Sequence, residues 1–394
     1  MDSTRTTISL NGAVFLFMCG VGLITPMLPG KIYNLSQSAV QVGILAASFA
    51  FSYVIIQIPM GIWADRFGYK KFIVLGYVLC GVAGTLYLLA NSSSVLIAGR
   101  VIQGLGEAPI WSLAPAILSL VNAKRKGMEI GRYNGAIHLG LTCGSLLGFI
   151  GLRFFSEQAI FQVYVFFCFI SAFWIYFGVR EMRVVPVDRS SILDTGYEEK
   201  LDVLKRTGVI VVLKGIALYG VGYGLFMTIV PSYISQLSHF TGNISGLLFI
   251  AFYLGIMIAQ FVGGPVSDTI GRIVPMVVGL SLYSLGMILL VHTQSLVVLL
   301  LLSIASFGLG LFLVGSIAFL NDQVGRSSKG FVSGLFYFFW GGGYFFGPVI
   351  MGYMGDRGLI EYGFRAIGCL GIIIIFSIAL TCRGSEVTNA IEQE

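Results

Sequence analysis

The chain has 394 residues, 56% of them hydrophobic and only 11% charged, with a net charge of +6. Soluble domains carry roughly 25% charged residues, so a water-soluble fold is excluded: too little polar surface is present to cover a chain of this length. The bilayer is the expected solvent, and the excess positive charge is read as a topology signal rather than as a nucleic-acid footprint.

Twelve apolar runs follow one another, at 7–28, 40–62, 72–90, 95–121, 129–151, 158–180, 208–236, 243–264, 273–292, 295–321, 330–354 and 360–383. Most reach the roughly 20 residues needed to cross hydrocarbon, and each is expected to be a helix, because lipid-facing backbone must satisfy its own hydrogen bonds. The first run is not followed by a small-residue cleavage pattern and is read as a helix that stays. With the amino terminus inside, the cytoplasmic segments hold 18 Lys and Arg residues and the outer loops hold only four, Lys31, Arg153, Arg357 and Arg365. The longest polar stretch, Glu181 to Thr207, is the expected linker, with a short surface helix around Glu198–Arg206. The predicted organisation is an amino-terminal six-helix bundle over 1–183, a cytoplasmic linker over 184–207, and a carboxyl-terminal bundle over 208–394 ending in a polar tail after Arg383. The class is an all-α membrane protein.

The turn after the second run reads Gly61-Ile-Trp-Ala-Asp65-Arg66-Phe-Gly68-Tyr-Lys70-Lys71. A degenerate copy, Gly264-Pro-Val-Ser-Asp268-Thr-Ile-Gly271-Arg272, lies 203 residues later (271 minus 68). Gly43, Leu45, Phe49, Gln57, Val74 and Gly76 pair with Gly246, Leu248, Phe252, Gln260, Val277 and Gly279 at the same offset. This is an internal repeat of about half the chain, the way many secondary transporters are built.

The fourth run contains Arg100, Gln103 and Glu107 at spacings that place them on one helix face. Glu107 is the acid expected at mid-membrane, where an ionisable group is costly and should face a cavity or a partner. Burial and Arg100 act on it in opposite directions, so it is a candidate proton carrier or cation ligand, the alternative being a static buried acid. Arg100 is a coupling or a structural group. His138 is an interior residue or a proton relay. Lys214 either snorkels to the surface or lines a cavity. Trp111, Tyr219, Tyr223, Tyr337 and Trp340 either pack against lipid and neighbours or line a pocket for a bulky, partly hydrophobic molecule. Spans one and seven both carry glycine and proline, and span eleven contains Gly341-Gly342-Gly343, where a bend is expected. Six scattered cysteines, three histidines, no nucleophile with a placed base and no phosphate loop point away from an enzyme and from a metal or other cofactor.

These features resemble the major facilitator superfamily, specifically its drug and metabolite proton-antiporter-like branch. Gly61, Asp65, Arg66, Gly68, Lys70 and Lys71 fit the family's turn motif after span two, with Tyr69 in a usually basic place. Arg100-Val-Ile-Gln103-Gly104-Leu-Gly106 fits its span-four motif. In span five, Gly144-Ser145-Leu-Leu-Gly148-Phe149 departs from the antiporter pattern by lacking a proline and a glycine, and Gly347-Pro348 appears instead in span eleven. The resemblance implies two pseudo-symmetric six-helix bundles working by alternating access as a monomer, with Asp65, Arg66, Asp268 and Arg272 in cytoplasmic gates. It implies proton-gradient-driven export of a small amphipathic or cationic molecule across a prokaryotic cytoplasmic membrane, both termini inside and membrane lipids around it. Import or facilitated diffusion of a polar or lipid-like solute, and a non-transporting receptor, are the alternatives.

Overall fold

The computed structural model describes residues 2–121, 126–181, 203–236, 244–292, 297–323 and 329–381. Most of the predicted linker, and the carboxyl tail, lie outside the described residues. Among the described residues there is no strand, as a hydrocarbon environment demands of an open chain. The helices are α1 (Asp2–Ile24), α2 (Leu28–Ser36), α3 (Ala39–Phe67), α4 (Tyr69–Leu89), α5 (Ser93–Val121), α6 (Lys126–Gly151), α7 (Glu157–Gly178), α8 (Thr207–Met227), α9 (Ile229–Gln236), α10 (Ile244–Ile270), α11 (Ile273–Leu290), α12 (Val297–Asp322), α13 (Lys329–Asp356) and α14 (Ile360–Thr381).

Ten stretches among the described residues are long and apolar enough to cross a bilayer, with α1 and α2 counted as one. The other two predicted spans are α6 and α13, whose 26 and 28 residues still exceed the length required. Polar residues such as Glu129, Arg132, Asn134 and His138 dilute the first, and glycine and aromatic residues the second.

The sequence repeat is a structural repeat. Helix α7 spans 157–178 and α14 spans 360–381, each end displaced by 203 residues. Helices α3 and α10 end at Phe67 and Ile270, again 203 apart, and both are followed by a glycine at positive φ, Gly68 at 99° and Gly271 at 91°. An L side chain is strained there, which is why glycine occupies both copies of the turn. Span one breaks at Thr25–Met27, and span seven breaks at Thr228, the residue 203 after Thr25. The first run was expected to end at Leu28; helix α2 carries the chain on to Ser36, where Ser38 caps the following helix by accepting from the Gln41 N–H.

The chain separates into two compact units, Met1–Pro186 with Met227–Ile250, and Val187–Phe226 with Ala251–Glu394. In the first, α1 packs on α6 and α7, α4 on α5 and α7, and α3 on α5. Glycines set the approach. Gly140, Gly144 and Gly148 recur every four residues along α6, and a methyl on any of them would press on the α1 backbone, at Phe15, Cys19 and Leu23 respectively. In the second unit the same positions plus 203, Gly343 and Gly347, lie against Ala217 and Val221 of α8, while Gly220 meets the Trp340 carbonyl. Helix α13 runs unbroken through its triple glycine. Small residues let backbones approach where lipid supplies no hydrophobic drive for helix association. The span-five departure is also accounted for: Ser145 donates its hydroxyl to the Gly22 carbonyl at 3.3 Å, whereas its repeat partner Pro348 packs on Gly224.

Replacing Gly144 by Leu is expected to remove monodisperse protein from size-exclusion profiles of detergent extracts. Gly135→Ala, where nothing lies within 4 Å of the added carbon, is expected to keep or raise the melting temperature, because alanine gains about 1 kcal/mol of helix propensity over glycine.

Candidate functional site: a buried polar chain on helix α5

Spacings of three, four and four residues put Arg100, Gln103, Glu107 and Trp111 on one face of α5, and the structure links them. Arg100 Nη1 donates to Gln103 Oε1 at 3.2 Å, and the Tyr87 hydroxyl donates to the same oxygen at 2.6 Å. Gln103 Nε2 donates to Glu107 Oε1 at 2.8 Å, and Trp111 Nε1 donates to Glu107 Oε2 at 3.1 Å. Arg100, Gln103 and Glu107 are 3%, 1% and 5% exposed. Because a guanidinium has no acceptor, the Gln103 amide must turn its oxygen to Arg100 and its nitrogen to Glu107. The cation and the anion therefore communicate through an amide.

Among the described residues, both hydrogen-bond partners of the Glu107 carboxylate are donors only. An indole N–H and an amide NH2 cannot accept a proton, so this shell fits the ionised carboxylate. A carboxylate offers about four lone-pair sites and two are taken here, so a proton can add at a free site, where it meets no acceptor in this pair and weakens the hydrogen bonds from Gln103 and Trp111. At the other end, Arg100 lies over the Phe49 ring at 5.6 Å, and its Nε and Nη2 are buried without a hydrogen-bond partner. Such a group is costly unless it is satisfied in another state or by solvent.

The repeat argues that this chain is not a requirement of the fold. The positions 203 residues beyond Arg100, Gln103, Glu107 and Trp111 are Ser303, Ser306, Gly310 and Val314. There the Ser306 hydroxyl bonds only to backbone carbonyls, at Ser303 and Ala251. At these four positions the second unit packs the same helices without a charged side chain.

At the turns, the side chains of Asp65 and Arg66 lie outside the described residues. Gly61 has open space around it. The Lys70 N–H, at the start of α4, donates to Glu181 Oε1 at 3.2 Å, and the Lys70 ammonium lies 5.0 Å from the Tyr176 ring centre. Glu181 thus occupies the positive end of α4 directly over Gly68. Sequence reading placed it in the linker, since nothing in its spacing ties it to a turn more than a hundred residues away. Lys71 is exposed. In the second copy, Arg272 bonds Asp268, Asp322 Oδ2 at 2.9 Å and the Ser267 hydroxyl at 3.2 Å, joining the ends of α10 and α12. Asp322 was missed for the same reason. The first-copy counterpart of Arg272 is Tyr69, a buried aromatic, so the two turns are held by different means.

Four of the five predicted aromatics gather in the second unit. Tyr223 meets Tyr219 at 6.2 Å and Trp340 at 5.9 Å between ring centres, and Tyr337 meets Trp340 at 6.4 Å. Trp111 is in the first unit, on Glu107. His138 bonds the Asn134 carbonyl of its own helix through Nδ1 at 2.9 Å. Lys214 is exposed on α8.

Gln103→Leu is expected to lower stability by roughly 1–3 kcal/mol, the penalty for leaving buried polar groups unpaired. Tyr87→Phe is expected to cost less. Thermal unfolding of the two single variants and the double variant checks this, and the effects should not add, because both groups share one oxygen.

The family model described as Major Facilitator Superfamily matches residues 10–211 and again 212–393, once per half. An uncharacterized MFS-type transporter of Methanocaldococcus jannaschii is 26% identical over 92% of this chain and 94% of its own length. Multidrug resistance protein 2 of Bacillus subtilis is 26% identical over 95% of this chain and 94% of its own. The quinolone resistance protein NorA of Staphylococcus aureus is 29% identical over 34% of this chain and 35% of its own. Among solved structures, an inward-facing, occupied bacterial homolog of the human lysosomal transporter Spinster superposes with a TM-score of 0.77 at 19% identity, covering 96% of this chain and 97% of that one. The nucleoside transporter NupG gives 0.73 at 12% identity, covering 95% and 98%. With a whole-chain family match, a two-fold helical repeat and both turn glycines in place, the chain belongs to the major facilitator superfamily and is a membrane transporter, not an enzyme.

Proposed function

We propose that this transporter exports a small amphipathic or cationic molecule in exchange for protons, by alternating access across a prokaryotic cytoplasmic membrane. The observation that carries the reading is Glu107, a buried carboxylate in a shell of donors, present in one half of the repeat and absent from the other. A fold that packs equally well without it retains an intramembrane acid for chemistry.

The residues act in sequence. With Glu107 ionised, Gln103 and Trp111 hold its oxygens, and Arg100 compensates the charge through the amide. A proton entering from the outside neutralises the carboxylate and weakens the hydrogen bonds that Gln103 and Trp111 donate to it. Release of that proton to the cytoplasm restores the shell. A cationic substrate and a proton compete for one anion, which is the simplest form of exchange. The aromatic cluster around Tyr223 and Trp340 offers faces for a flat or cationic molecule. The names of the multidrug and quinolone resistance relatives support efflux of such compounds. Ser145, in the place where antiporters of the resembling branch carry proline, favours the second reading, uptake or facilitated diffusion. The proton gradient is the energy source, and no cofactor is invoked.

In proteoliposomes holding a pH-sensitive dye, a lipophilic cation should drive proton movement in the wild type and not in Glu107→Gln. Flux that survives unchanged in the variant would sink Glu107 as the proton carrier and leave facilitated transport. For orientation, cysteines introduced one at a time at Arg153 and Lys71 of an otherwise cysteine-free chain are to be probed with an impermeant maleimide on whole cells. Labelling is expected at 153 and not at 71, and the reverse would invert the topology.

A further inference from the structure

A cleft in the first unit opens where the first turn of α1 meets the last turn of α7. Its walls include Arg5, Ile8, Ser9, Phe173, Trp174 and Phe177, and it is a largely open groove with about 1000 Å³ of accessible space. Gly178 lets Ser9 of α1 pack against α7, since a side chain there would overlap the Ser9 hydroxyl, and Gly12 gives the Trp174 ring its seat on α1. Ile8, Phe173 and Phe177 are 59%, 66% and 58% exposed. Phe173 and Phe177 lie 4.5 Å apart between ring centres, and Tyr176 continues the row at 4.9 Å from Phe177. Arg5 Nη2 donates to the Phe177 carbonyl at 3.0 Å, capping the end of α7. The rest of its guanidinium fork takes no other partner among the described residues, and no carboxylate lines the cleft.

We propose that this cleft binds one anionic phospholipid of the adjoining leaflet, the phosphate on Arg5 and an acyl chain along Phe173, Trp174 and Phe177. Three observations select that occupant. Among the described residues Arg5 is a cation with no carboxylate against it at the mouth of an apolar groove, which is complementary to a phosphate carrying hydrocarbon. The cleft lies at the ends of two spans, at the depth where basic and aromatic side chains meet headgroups, and its volume far exceeds the need of an inorganic ion. It is also absent from the repeat: 203 residues on, Arg5, Trp174 and Gly178 become Gly208, Ser377 and Thr381, so the fold does not demand it.

The test uses the full chain in nanodiscs doped with phosphatidylglycerol or phosphatidylcholine brominated on the acyl chains, reading tryptophan fluorescence. The Trp174 signal is taken as the difference from Trp174→Phe. Brominated phosphatidylglycerol is expected to quench it at a mole fraction about fivefold lower than the zwitterionic lipid, the size of one basic residue's attraction to an anionic headgroup. Arg5→Gln should abolish that preference, and Arg5→Lys should retain part of it. Equal quenching by both lipids, or an unchanged preference in Arg5→Gln, overturns the proposal. So does full competition by inorganic phosphate, which would mean an anion site without lipid. A cross-linked dimer through residue 174 with no preferential quenching would assign the cleft to a second copy instead.

Discussion

Hydrocarbon offers no partner to a peptide N–H or C=O, and the rest of this structure depends on that constraint. It forces every span into a helix, and it removes the hydrophobic drive that would bring helices together in water. What remains is close approach, and the chain achieves it with glycine. The row Gly140, Gly144, Gly148 on α6 and its counterpart Gly343, Gly347 on α13 let each helix lie backbone to backbone on α1 and α8. Helices α4 and α5 meet in the same way, with Gly76 on the Gly106 carbonyl, and α11 and α12 do so with Gly279 on the Gly308 carbonyl.

The same medium makes buried charge expensive, which isolates the departures from pure packing. One half of the repeat carries Arg100, Gln103, Glu107 and Trp111 as a hydrogen-bonded line; the other half fills those positions with serine, glycine and valine. A duplicated fold thus provides its own control. What both halves keep, the helix ends, the broken first spans and the positive-φ glycines, belongs to the architecture. What one half alone keeps is not demanded by the architecture. The α5 line, the Arg5 cleft and the Glu181 cap on α4 occur in the first half alone, and the Arg272 clamp to Asp322 occurs in the second alone.

Much of the fold was legible because its causes are local. Runs of apolar residues, punctuated by charge and glycine, mark spans without reference to any partner, and the offset of 203 follows from residue identity along a single register. The polar residues of α5 were legible for a related reason: helical spacing alone puts Arg100, Gln103 and Glu107 on one face. The helix after the first break was not foreseen, because Pro29 and Lys31 read as loop until Lys31 is seen paired with Glu157 and lying over Phe161.

The sequence by itself determined the helical class, the repeat, the family and the residues on which coupling is proposed to rest. Only the tertiary structure decided that the Gln103 amide stands between cation and anion, that Tyr87 shares its oxygen, that Trp111 completes the Glu107 shell, and that Glu181 and Asp322 hold turns far from them in the chain. The physical reason is range. Period, hydropathy and turn chemistry act within a few residues, whereas a hydrogen bond between α4 and α5, or a carboxylate over the start of α4, depends on how helices are brought side by side, and that is set by packing across the whole unit.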